Sequence, residues 1–85
     1  MLKEFNDSMF DDFKNESVSV VQYSAAWCGP CKTLKPIMDR LAVEYKDRAN
    51  FFYADIENAA INTASAAGIR GVPTVIIYKG KTEVD

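Results

Sequence analysis

The chain has 85 residues, 48% of them hydrophobic and 26% charged, which gives a single domain (1–85) with a small core and excludes a second domain or a disordered tail. Ten basic residues against twelve acidic ones leave a net charge of -2 with no Lys/Arg run, so neither nucleic acid nor an anionic membrane is expected as a partner. No segment reaches transmembrane length, and Met1 to Ser8 carries two acids and no apolar run, so the expected location is cytoplasmic.

In chain order, Leu2 to Phe5 reads as an edge strand, and Ser8 with Asp11 three residues later as the start of a short helix presenting Phe10 and Phe13 on one face. Val18 to Tyr23 is a β-branched run interrupted only by Ser19 and Gln22, the pattern of a buried strand. From Cys31 onward, Leu34, Ile37, Met38, Leu41, Ala42 and Tyr45 recur at three- and four-residue steps and predict an amphipathic helix with that stripe in the core. Phe51 to Ile56 reads as a strand, Ala59 to Ala67 as a small-residue helix closed by Gly68, and Thr74 to Tyr78 as a strand turning through Lys79-Gly80 toward Thr82 to Val84. The order βαβαβαββ implies an α/β fold: a mixed sheet of four to five strands, parallel in its first part, flanked by three helices.

The two cysteines, Cys28 and Cys31, are three positions apart where a strand gives way to a helix. Cross-linking so short a loop removes little chain entropy, so the pair points to chemistry rather than to a structural staple. The first amides of a helix lack acceptors and carry partial positive charge, which favours a thiolate at Cys28, and Pro30 fits the first turn because it has no N–H. Cys28 is therefore expected to attack and Cys31, one turn further in, to resolve the mixed disulfide. Lowering a thiol pKa from about 8.5 to about 7 raises the thiolate fraction roughly 16-fold and lowers nucleophilicity roughly 6-fold, so docking has to supply most of the rate. A closed zinc site needs four ligands, and the chain has no histidine and no third cysteine; Lys32 stands where c-type haem attachment would need histidine. The expected cofactor is none beyond the Cys28-Cys31 disulfide itself.

Trp27 to Lys32, reading WCGPCK, resembles the active-site sequence of the thioredoxin family, and the likeness extends through Pro36 inside the following helix and the loop Gly68-Ile69-Arg70-Gly71-Val72-Pro73-Thr74. The resemblance implies a thioredoxin-like fold and protein-disulfide reduction, with a thioredoxin-reductase-like partner and disulfide-containing protein substrates. It also implies a cis Val72-Pro73 bond and an apolar docking surface made of Trp27, Gly29, Pro30, Ile56, Ile69, Gly71, Val72 and Pro73. Taken without the family, Pro73 also reads as an ordinary turn proline and Trp27 as a core residue. By the same resemblance, the proline between the cysteines goes with a reducing potential, about −270 mV for thioredoxin against about −180 mV for isomerases.

Two features depart from the family. Gln22 occupies the position where many members have a buried aspartate acting as proton acceptor for the resolving thiol, and Tyr53 stands where they usually have its lysine partner. The expectation is slower resolution of the mixed disulfide. The sequence also stops at Asp85, partway through the family's last strand and before its closing helix, which predicts a marginal monomer, a dimer covering the open sheet face, or a shortened form. A protein-binding or regulatory module with incidental redox activity is the alternative function.

Overall fold

The computed structural model describes residues 2–13 and 17–85. Its sheet has five strands in the order β1-β3-β2-β4-β5: β1 (Lys3–Phe5), β2 (Val18–Ser24), β3 (Asn50–Asp55), β4 (Thr74–Lys79) and β5 (Thr82–Glu83). β1 and β2 both run parallel to β3, while β4 is antiparallel to β2 and β5 antiparallel to β4. Helices α1 (Gly29–Glu44) and α2 (Ile61–Ala67) and a 3-10 helix (Asp7–Asp12) complete the expected mixed α/β architecture.

β2 is buried along nearly its whole length because it has a strand on each side and a helical layer on each face. Its alternate residues serve different layers. Val21 and Tyr23 join Phe5, Phe52, Ala54, Ile76 and Tyr78 in a core covered by the 3-10 helix and α2. There Phe13 stacks on Phe52 at 5.5 Å between ring centres, Phe10 meets Tyr78 edge-on at 5.3 Å, and the buried hydroxyls of Tyr23 and Tyr78 share a 2.7 Å hydrogen bond. On the opposite face Val20 packs with Phe51, Met38 and Ala42 beneath α1. Farther along the strand on that face, Gln22 is fully buried within hydrogen-bond reach of α1.

The 3-10 helix begins at Asp7 after Asn6, not at Ser8, whose hydroxyl donates to Asn6 Oδ1 at 2.6 Å. The reason lies 55 residues away. The Asp7 carboxylate accepts the Asn62 amide (3.0 Å), the Thr63 amide (2.7 Å) and the Thr63 hydroxyl (2.7 Å), so it caps α2 and ties the N-terminal segment to it. The Thr63 hydroxyl leads in holding the Asp7 carboxyl below the usual carboxylate range. At its other end α2 stops where expected, on Gly68 in the left-handed region at φ 71°.

The predicted core stripe of α1 is narrower than its sequence pattern. Cys31, Met38 and Ala42 are buried, whereas Ile37 and Tyr45 are 48% and 39% exposed. At about 100° per residue, Ile37 sits a quarter-turn away from Met38, beyond the reach of the sheet. It is exposed together with Val75 and Val84. The ladder between β4 and the chain end runs past β5, with Val84 N–H donating to Ile77 O at 2.8 Å and Ile77 N–H to Asp85 O at 2.9 Å.

Candidate active site

The site forms where β2 ends and α1 begins. Cys28 is the N-cap of α1, in an extended conformation, and its sulfur accepts the Cys31 amide at 3.1 Å. That places the Cys28 sulfur on one of the unpaired amides of the first turn, at the positive end of the helix dipole. Pro30 lies in that turn and lacks the N–H that would go unsatisfied. Cys28 and Cys31 are joined as a disulfide, with Cα atoms 5.3 Å apart. Their exposures, 3% and 0%, differ in the expected order, but both sulfurs are largely enclosed, packed with Ala25, Ile56 and Val72.

Three neighbouring loops frame the pair. Ile56 is held beside β2 by its N–H, which donates to Ser24 O at 3.0 Å, and Asp55 fixes the turn that follows by accepting the Glu57 amide and the Asn58 side chain at 2.9 Å each. The Asn58 amide is the larger influence keeping the Asp55 carboxyl below its ordinary range. Val72-Pro73 is cis, and the Thr74 hydroxyl closes its loop onto Gly71 O at 2.6 Å. Trp27, 68% exposed, belongs to no core cluster among the described residues, so its core reading is corrected. Gly29, Pro30, Lys32 and Gly71 are exposed and Pro73 is half-buried. A Cβ at Gly29 or Gly71 would meet no atom of the described residues within 4 Å, so packing among them does not require glycine at either place. Ile69 is the member of the expected docking set that lies elsewhere: its half-buried side chain packs against the aromatic core beneath α2.

Beneath the pair, Gln22 is fully buried, and its Nε2 donates to Ser24 Oγ at 2.9 Å and to the Cys31 carbonyl at 3.3 Å. Its Oε1 is buried without a hydrogen-bond partner among the described residues. Tyr53 is half-buried, with the Lys35 ammonium 5.9 Å from its ring centre. Ser24 and Ala25 are contributors that sequence reasoning missed. Ser24 was findable, since it lies two residues beyond Gln22 and therefore on the same strand face.

A groove of about 600 Å³ lined by Phe10, Asp11, Ala66, Tyr78 and Lys81 lies away from the cysteines. Of the three carboxylates that line it, Asp7 is engaged with α2 and Asp11 with Lys81 at 3.6 Å, and neither cysteine reaches it.

The family model described as thioredoxin matches residues 1–85. The chain is 37% identical over 79 residues to a protein named thioredoxin from Staphylococcus saprophyticus, covering 93% of this chain and 75% of that one. It is 42% identical over 66 residues to thioredoxin M4, chloroplastic, of Arabidopsis thaliana (78% of this chain, 34% of that one). The M-type chloroplastic thioredoxin of Chlamydomonas reinhardtii is 41% identical over 75 residues (82% and 53%). With the cysteine pair capping a helix at the end of the central strand and a match along the whole chain, this protein belongs to the thioredoxin family.

Proposed function

We propose that this thiol–disulfide oxidoreductase reduces protein disulfides with Cys28 as the attacking and Cys31 as the resolving thiol. One observation carries the assignment: the Cys28 sulfur accepts the Cys31 amide at the helix terminus. In the dithiol form that bond and the helix dipole favour a thiolate on Cys28 over one on Cys31. The Cys28 thiolate bonds to one sulfur of the substrate disulfide, and the other leaves as a thiolate that solvent protonates. Cys31 then loses its proton to solvent, bonds to Cys28 and releases the second substrate sulfur, so the substrate gains two electrons and the protein ends as the disulfide.

Val72, Pro73, Gly71, Ile56, Trp27, Gly29 and Pro30 form the docking surface in this reading, with Lys32 at its rim. Support comes from the exposed Trp27, the half-buried apolar groups beside the sulfurs, and two glycines whose bareness the fold does not need. Exposed backbone around Gly71 suits strand-like pairing with an extended substrate segment. Ile69 acts from behind, by supporting the loop.

The protein works without a bound cofactor, the Cys28-Cys31 disulfide carrying the electrons, and a thioredoxin-reductase-like partner recharges it. In this role it is an electron carrier that maintains redox homeostasis in the cytoplasm. A lone, closely spaced cysteine pair suits a compartment that keeps thiols reduced. Exposed apolar side chains such as Ile37, Val75 and Val84 suit a dimer, and sedimentation at two concentrations checks it: a single monomer at both removes the dimer.

Insulin reduction by dithiothreitol-charged protein, with Cys28→Ser as control, tests the main reading. Turnover in the wild type and none in the variant is expected. No turnover in the wild type replaces this reading with that of a binding module.

A further inference from the structure

The Gln22 side chain is half-satisfied. It is fully buried, its amide N–H groups donate to Ser24 Oγ and to the Cys31 carbonyl, and its carbonyl oxygen Oε1 meets no donor among the described residues. The Cys31 carbonyl fixes which way the amide points: an exchange of Nε2 and Oε1 would set two acceptors against each other at 3.3 Å. A buried acceptor left unpaired is a cost that native structures rarely carry without a reason. The state at hand supplies one, because in the disulfide neither sulfur bears hydrogen. Reduction by two electrons and two protons converts the pair to thiols and creates, on the residue the amide already touches, a buried S–H donor.

We propose that Gln22 is a redox-dependent positioning residue whose Oε1 accepts the Cys31 S–H in the dithiol and in the mixed disulfide, steadying that thiol for attack on Cys28. This rests on the assignment of Cys31 as the resolving thiol. The amide takes no proton. During resolution the Cys31 proton passes to solvent, the Cys31 sulfur bonds to Cys28 Sγ, and the substrate sulfur departs with the bonding electron pair and is protonated from solvent. Because the hydrogen bond exists only when Cys31 is a thiol, Gln22 favours the dithiol over the disulfide and makes the pair less strongly reducing than it would be with an apolar residue there. An amide does not ionise, so its preference for the dithiol needs no carboxylate titration.

The test is the dithiol–disulfide equilibrium of the full chain in glutathione buffers, for the wild type and Gln22→Met. The expected result is a shift of about three- to ten-fold toward the disulfide in the variant, where tenfold corresponds to about 30 mV for this two-electron couple. A change under about two-fold overturns the proposal. If Gln22→Met does not fold, the vibrational S–H stretch of Cys28→Ser decides, since Cys31 is then the single thiol in the chain. A band lowered from the free-thiol position is expected, and a band at the free-thiol position overturns the inference. Failure of the parent reading would appear as absent insulin turnover, whereas failure here would appear as an unchanged glutathione constant or free-thiol band in a protein that still reduces insulin.

Discussion

The two faces of the sheet are built from different chemistry. Beneath the 3-10 helix and α2 lies an aromatic layer of Phe5, Phe10, Phe13, Phe52, Tyr23 and Tyr78 in which ring packs on ring. Beneath α1 the apolar layer is smaller, Val20, Phe51, Met38 and Ala42, and it gives way to the polar pair Gln22 and Ser24 as the chain approaches the cysteines. The larger share of the buried apolar side chains lies on one face, and the cysteine pair lies at one end of the other. A strand buried on both sides can serve both purposes because its side chains alternate: Val21 and Tyr23 belong to the first, Val20 and Gln22 to the second.

The largest loss of stability is expected from the aromatic face. Phe52→Ala, which removes a buried ring in contact with Phe5 and Phe13, is expected to cost about 3–5 kcal/mol in urea unfolding, a large share of a typical domain's stability of about 5–15 kcal/mol. A cost below about 1 kcal/mol would remove the distinction between the faces.

A smaller effect is expected at Asp7, which ties the aromatic face together from its surface. Its pKa is lowered in the folded state, so the charged carboxylate contributes stability that is complete above the unfolded value near 4 and is lost as pH falls through the lower folded value. Asp7→Asn should therefore be less stable than the wild type at pH 7, with the gap closing as pH falls below about 4. Chemical unfolding at a series of pH values checks this, and a gap independent of pH would show that charge is not what Asp7 supplies.

The smallest effect on stability is expected at Trp27, on the functional end. Trp27→Ala should change unfolding free energy by no more than about 0.5 kcal/mol, given 68% exposure, while lowering kcat/KM for insulin about three- to tenfold. Unchanged kcat/KM would take Trp27 out of the docking surface; a large stability loss would return it to the core.

Much of this was legible in the chain itself. The β-branched run at Val18 to Tyr23, the cysteine spacing and the helix end at Gly68 each report a local requirement: strand propensity, a strand-to-helix junction, and a residue tolerant of positive φ. The start of the 3-10 helix was not legible, because Asp7 is drawn away by amides at positions 62 and 63. Nor was the exposure of Ile37 and Tyr45, since periodicity says which residues share a helix face but not how much of that face the sheet covers. Ile69 enters the docking set only through the family resemblance, and its packing against the aromatic core depends on where α2 comes to rest.

The sequence by itself determined the order of elements, the redox pair and its place at a helix start, because these follow from residue type and spacing along a few turns of chain. Only the tertiary structure decided that both sulfurs are enclosed and that Gln22, whose Nε2 reaches the Cys31 carbonyl, keeps one oxygen without a partner among the described residues. Those facts depend on contacts between segments far apart in the chain. Whether a buried polar atom is satisfied is a property of everything packed around it, and no local pattern encodes that.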